Sequence, residues 1–429
     1  MTTGATSPTR EPMTAGTRSS ERRRDLDLLR MLVVVGLVFF HSARVFDTGS
    51  FYVKNDPTSE AVTIALFFMA LWGMPLLFVI AGTGMWYSLR SRSAGQFARE
   101  RVRRLLVPLI FGVVVIVPPQ VWTRLRGDAG YAESFWEFLP RFFDVEFTMR
   151  SFPFVVWGDP ATGLFETGHL WFVVVLFAYS LLLLPMIRLL RRPSGLRMID
   201  RVAESVDRWW VLLLAGIPFA ALDVVFGSEE GLAGWSRYSY ATFILYGYLL
   251  ATDRRFRRAL QRFRTRNLVL GVALFGVAGV FYNVASNSPG VDPLADFDLA
   301  SLGLRSVKGL SGWLTLAAIL GFAGGSTQTR LPRPEPKAAP TLVSRVTAYT
   351  AEAVLPIYVL HQTVIVLLAY YVVQWQIPSV ARYLVISLVS LIVILAIYDV
   401  AVRRTRLTRF VFGMKPPERD RSGRGLIRS

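Results

Sequence analysis

The chain has 429 residues, 53% hydrophobic and 18% charged, with a net charge of +18, whereas a soluble chain carries about 25% charged residues. With a mean hydropathy of +0.42 and apolar runs long enough to cross a bilayer, it belongs with integral membrane proteins. It has no cysteines and three histidines, which excludes disulfides, thiolate nucleophiles and cysteine-ligated metals, and without HExxH, a Walker loop or GxGxxG before a helix, zinc proteolysis and ATP-driven transport lose their usual signatures.

Residues 1–27 are polar and carry the run Arg22-Arg23-Arg24, the pattern of a disordered cytoplasmic tail. The apolar stretch that follows resembles a signal peptide, but no small-x-small site closes it, so an uncleaved span is expected. Ten spans are predicted, at 29–46, 62–87, 105–122, 168–190, 209–226, 235–251, 267–285, 301–325, 347–374 and 380–401. The expected architecture is an all-α polytopic membrane helix bundle over 28–402, with a basic tail at 403–429. The eighth span is the weakest, because Arg305 and Lys308 interrupt its first turns. Between spans three and four lies a long loop, 123–167, rich in aromatics: Phe135, Trp136, Phe138, Phe142, Phe143, Phe147, Phe152, Phe154 and Trp157. It reads as an interfacial helix on the outer leaflet or as a lid or acceptor platform stacking on sugar rings.

Loop charge sets the orientation. About 37 of the 48 Lys and Arg residues fall in the N-terminal tail, the even-to-odd loops and the C-terminal tail, which places both termini in the cytoplasm by the positive-inside rule. Because the basic residues cluster between spans, the net charge implies a bilayer and not nucleic acid.

Orientation converts position into depth. Arg30 begins span one and His41 lies eleven residues on, roughly 16 Å along a helix and about half the apolar thickness of a bilayer. His361 lies about 14 residues into span nine, roughly 21 Å up, and His169 opens span four at the outer face. Glu352 lies lower on span nine, Asp223 near the outer end of span five, and Arg305 and Lys308 share a face of span eight. Each has a structural reading: a histidine satisfied by a neighbouring helix, an interfacial His169 beside Trp171, a His361–Glu352 pairing with another helix, cations snorkelling to headgroups. Together these groups, on five spans, point to a polar interior suited to chemistry or to proton-coupled transport. Below it, Arg101-Val-Arg103-Arg104 is either ordinary positive-inside charge or a phosphate-binding cluster.

The run Asp27-Leu-Leu-Arg30, ten residues, then His41 resembles the Arg-x10-His signature of the membrane acyltransferase-3 family. Four further stretches agree in order. Phe78-Val-Ile-Ala-Gly82 resembles its LISG-type stretch, Arg101-Val-Arg-Arg104 its RxxR motif, Gly168-His-Leu-Trp-Phe172 its HLWF stretch, and Leu355-Pro-Ile-Tyr-Val-Leu-His-Gln-Thr363 its IYLLH stretch. Ala81 stands where many relatives have serine, so nothing catalytic rests there. The likeness spans about residues 22–402, and the wording of spans one, two and nine is most similar to the glucan-biosynthesis protein C branch, which succinylates periplasmic glucans.

The resemblance implies an enzyme of a bacterial cytoplasmic membrane that moves an acetyl, succinyl or similar group from cytoplasmic acyl-CoA to a hydroxyl of an extracytoplasmic carbohydrate or glycolipid. No bound cofactor or metal is expected, since acyl-CoA is a substrate. Arg30, Arg101 and Arg104 would hold the donor's phosphates. His41 would act as general base or transient acyl carrier, with His361, Glu352 and His169 orienting it or polarising the acceptor. Arg305, Lys308 and Asp223 would contact the acyl group or acceptor. The rival classes are a proton-coupled transporter or flippase, which would move substrate without consuming acyl-CoA, and a non-catalytic scaffold, which would tolerate loss of His41.

Overall fold

The computed structural model describes residues 15–128, 130–145, 164–326 and 342–414. Among these residues every extended element is a helix; the only strand-like pairing is an isolated bridge between Glu229 and Trp235. The first helix, α1 (Ala15–Ala43), begins inside the segment expected as a tail. It is followed by α2 (Glu60–Ser91) and α3 (Ala94–Leu125), then the short α4 (Phe135–Phe142). Next come α5 (Trp171–Leu182), α6 (Leu184–Leu190), α7 (Pro193–Ser205), α8 (Trp209–Phe226) and α9 (Ser239–Thr252). The remainder is α10 (Arg254–Ser286), α11 (Leu299–Ser326), α12 (Leu342–Val372), α13 (Ser379–Val402) and α14 (Arg406–Val411).

Seven of these helices are long and apolar enough to cross a membrane, or eight if the bent pair Gly168–Leu182 and Leu184–Leu190 is one span. The ten predicted spans all coincide with helices, but two fall short of the roughly 20 residues that a bilayer asks for. The apolar part of α1 covers Leu28–Ala43, and α9 has 14 residues. The span interrupted by Arg305 and Lys308 has the lowest hydropathy of the seven, as its sequence suggested.

Local chemistry fixes several of these elements. A capping box starts α3: Ser93 Oγ accepts from Gln96 N at 3.2 Å and Gln96 Oε1 accepts from Ser93 N at 3.0 Å. Within α3, the stretches Val102–Leu106 and Gly112–Ile116 are π-helical. Each is followed one residue later by a proline, Pro108 or Pro118. A proline has no N–H and its ring crowds the carbonyl four residues back, and the wide turn lets Val117 N–H reach Gly112 O at 2.9 Å instead. In the aromatic-rich loop, α4 is also boxed, by Ser134 and Glu137, whose carboxyl that hydrogen bond holds below the usual range. Phe138 and Phe142 are buried there and Trp136 is exposed. Phe147, Phe152, Phe154 and Trp157 lie outside the described residues.

The helices pack with α1 against α12, α2 against α9, and α8 and α10 against α11. The α2–α9 crossing is glycine-mediated from both sides. A Cβ at Gly82 would run into Ile244 O, and one at Gly247 into Val79 O. Thr83 Oγ1 donates to Gly247 O at 2.9 Å across the same contact. The stretch Phe78–Gly82 therefore works as a close-packing motif between backbones.

Candidate active site

Three helices deliver the three histidines to one place. His41 lies near the C-terminal end of α1, His361 in the middle of α12, and His169 in the 3₁₀ turn Gly168–Leu170 that opens α5. Gly168 is required for that turn: its φ is +50°, and a Cβ there would sit 3.3 Å from the Tyr52 hydroxyl. The His361 ring stands between the other two, 5.0 Å from His41 and 4.9 Å from His169, centroid to centroid. Phe51 stacks on His41 at 6.3 Å.

Hydrogen bonds to backbone carbonyls fix two tautomers, because a carbonyl only accepts. His361 Nδ1–H donates to Tyr358 O at 2.6 Å, leaving the buried Nε2 as a lone pair without a partner among the described residues. His169 Nε2–H donates to Val359 O at 3.0 Å, and its Nδ1 faces Gln120 Nε2 at 3.5 Å. His41 Nδ1 is likewise buried without a partner, while its ring is only half-buried. The site thus holds two neighbouring imidazoles with an unused nitrogen each, and a third that is fully engaged.

A polar scaffold supports the third ring. Gln120 Nε2 donates to Thr363 Oγ1 at 2.6 Å, Thr363 Oγ1 donates to Ile116 O at 2.7 Å, and Gln362 Nε2 donates to Gln120 Oε1 at 2.9 Å. The Tyr358 hydroxyl donates to His169 O. In the loops beside the cluster the Tyr52 hydroxyl donates to Glu166, whose second oxygen accepts from Arg124 Nη1 at 3.1 Å. Burial first, and Glu166 second, push the Tyr52 hydroxyl well above its ordinary value of 10.0, so it stays a donor. Just past His41, the buried Asp47 is clamped by Arg44 at 2.5 Å and Lys54 at 2.6 Å, which pins the loop that carries Phe51 and Tyr52.

Tyr358, Gln362 and Thr363 belong to the IYLLH-like stretch, where the sequence draws the eye to its histidine alone. Gln120 had a signal of its own, as an amide in an apolar span after Pro118-Pro119. Asp47, Tyr52, Arg124 and Glu166 had none.

The arginine cluster lies where α3 begins. Arg101 lies 4.7 Å above the Phe97 ring and within electrostatic range of Arg30, Arg104, Arg92 and Glu100. Arg104 Nε also pairs with Glu100 at 3.1 Å.

Four expected site residues lie elsewhere. Glu352 is exposed and pairs with Arg409 at 2.6 Å; nine residues before His361, it sits about 13 Å down the helix on the opposite face. Asp223 and Lys308 form a buried ion pair at 2.9 Å. Lys308 further donates to Ser228 Oγ at 2.6 Å and to Gly234 O, and Asp223 accepts from Ser236 N at 2.8 Å. Arg305 is buried with its guanidinium on the carbonyls of Leu294 and Ala295, at 3.2 and 3.1 Å, and of Asp296. All three tie α8 and α11 to the loops beside them. Between Lys308 and His169 runs a wall of rings: Trp235, Phe243, Tyr240, Phe78, Phe172 and Tyr358.

The sequence model of a family described as an acyltransferase domain matches residues 23–399. The chain belongs to the acyltransferase-3 family. It is a multi-pass membrane acyltransferase, a membership that disfavours the transporter reading. No curated protein and no solved structure matches it. In this acyltransferase, the stretches that resemble the family's signatures divide between two jobs. Those containing His41, His169 and His361 meet in one cluster, and the one ending in Gly82 packs α2 on α9.

Proposed function

We propose that the protein transfers an acyl group from cytoplasmic acyl-CoA to a hydroxyl of an extracytoplasmic carbohydrate or glycolipid, with His41 as general base. The observation that carries this reading is the pair of buried, unpartnered nitrogens on the adjacent His41 and His361 rings, 5.0 Å apart. A buried polar atom without a partner is costly, and two side by side mark a place kept for a reaction.

His361, its Nδ1–H committed to Tyr358 O, offers Nε2 to a proton on His41 Nδ1. That leaves His41 Nε2 as the basic nitrogen. It takes the proton of the acceptor hydroxyl as the oxygen attacks the thioester carbon. The C–S bond breaks, and the departing thiolate receives that proton. Direct attack of the same nitrogen on the thioester would instead give a transient acyl-histidine. Arg30, Arg101 and Arg104 hold the donor's phosphates, since guanidinium forks suit them. The roughly 16 Å from Arg30 to His41 is of the order of an extended pantetheine arm, so the nucleotide stays on the cytoplasmic side. This arrangement takes the ten helices as ten crossings with both termini cytoplasmic, in a bacterial inner membrane. The acyl group is acetyl, succinyl or similar, and the resemblance of the first, second and ninth spans puts succinyl on a glucan first among the pairs to test.

Purified protein in liposomes, given radiolabelled acetyl-CoA or succinyl-CoA and candidate acceptors, tests the reading. Wild type should move label to an acceptor or hydrolyse the thioester, and His41→Ala should do neither. An absence of CoA turnover in both would overturn it.

A further inference from the structure

The bend of 48° between Gly168–Leu182 and α6 lays α6 against the turn that joins α2 to α3. Arg191 Nη1 fastens it there, donating to Leu89 O at 2.9 Å. Between the two lies a cavity of about 200 Å³, lined by Leu89, Leu184 and Ile187 below and by Arg92, Arg188 and Arg191 around the rim. One water needs about 10–15 Å³, so the space admits a group far larger than a water. Ser93 and Ala94, the start of α3, close its remaining side. The first turn of a helix carries partial positive charge, which adds to that of the arginines.

Three arginines line the pocket and, among the described residues, no carboxylate does. Arg92 pairs with Glu100 and donates to Ser88 Oγ at 3.1 Å. Arg188 has no hydrogen bond or ion pair among the described residues, and it is exposed. The pocket adjoins the arginine cluster on α3, since Arg92 and Arg104 both pair with Glu100. Met186 and Leu189 on α6 and Leu196 and Val202 on α7, all apolar, are exposed. That amphipathic edge belongs at the level of lipid headgroups.

An apolar floor with a rim of forked, planar cations recognises a phosphate attached to an organic group. We propose that Arg92, Arg188 and Arg191 form a phosphate-binding pocket additional to Arg30, Arg101 and Arg104. Its occupant is the ribose-linked phosphate of the donor nucleotide or the headgroup phosphate of an anionic lipid. The first source rests on the donor proposed above; the second does not.

The full chain in nanodiscs separates the sources. In phosphatidylcholine discs, binding of adenosine 3′,5′-bisphosphate is measured for wild type, Arg188→Glu and Arg197→Glu, the last an equal charge change on α7 outside the pocket. Thermal stability is then compared between phosphatidylcholine and phosphatidylglycerol discs for the same three proteins. A nucleotide occupant weakens bisphosphate binding about tenfold or more in Arg188→Glu alone. A lipid occupant makes Arg188→Glu alone lose its stabilisation by phosphatidylglycerol. Should Arg188→Glu fold poorly, Arg188→Gln removes the charge without reversing it. If the Arg188 variants match Arg197→Glu in both measurements, there is no such pocket. A wild type that binds the bisphosphate but turns over no acyl-CoA keeps the pocket and overturns the proposed function.

Discussion

Asp223 and Lys308 answer each other's charge at 2.9 Å, and the backbone and hydroxyl groups around them take up further bonds. The buried His361 and the half-buried His41 each keep a nitrogen with no partner among the described residues. Both clusters place ionisable groups where they are expensive, yet one spends its polarity on holding helices together and the other keeps it in reserve. Burial alone therefore does not mark a reactive group. Two titratable rings in contact, with no opposite charge between them, are the better guide, and this contrast can be tested from both ends.

The largest effect is expected at the histidines. His361→Ala should lower acyl transfer by about 10²–10⁴-fold with an unchanged melting temperature, as parallel assays of turnover and thermal unfolding would show. A normal rate in that variant would remove the distinction. Next comes the ion pair. Lys308→Met strands Asp223 in the interior and should cost roughly 3–5 kcal/mol of stability, read by denaturation in mild detergent. Turnover per folded molecule should stay near wild type, and Asp223→Asn added to it should restore much of the loss. A Lys308→Met protein that is stable but inactive would move Lys308 into the active site.

Gly247→Ala probes packing remote from either cluster. Its methyl meets the Val79 backbone, so a cost of about 1–3 kcal/mol is expected, with a protein as stable as wild type arguing against the close crossing. Gln120→Ala sharpens the contrast within the site itself. It frees His169 Nδ1 and Gln362, and kcat should fall about tenfold, the worth of one hydrogen bond of roughly 1.4 kcal/mol; a change in KM alone would contradict a positioning role. The smallest effect belongs to Tyr52→Phe, a few-fold rise in acceptor KM. Because burial raises the Tyr52 pKa above its unfolded value of 10.0, that hydrogen bond is fully present below about pH 10 and is lost only as pH climbs through the folded value.

Much of this was legible in the residues. The apolar runs gave every long helix, and the spacing of the signature stretches singled out the three histidines that meet. The misplacements have physical causes. Glu352 was assigned by depth alone, yet nine residues are two and a half turns of helix, which turns its side chain away from His361. Counting the phase would have shown it. The pairing of Asp223 with Lys308 had no such signal, because the residues lie on different helices and only tertiary packing joins them. The same holds for Glu166 and Tyr52, whose hydrogen bond depends on how two loops fold over the site. Asp47 drew no notice because its partners, Arg44 and Lys54, look like ordinary loop charges.

The two wide turns in α3 set the phase between its ends. A π turn holds one residue more than an α turn, so each offsets everything beyond it by about 100° around the helix axis. Arg101 stands at the lower end and Gln120 at the upper, with both turns between them. Their combined offset of roughly 200° aims the amide of Gln120 at Thr363 and His169 while Arg101 keeps company with Arg30. Straightened into a regular helix, the same residues would point the amide almost the opposite way. The prolines at 108 and 118, which make regular turns unfavourable, therefore hold the two ends of one helix to two different partners.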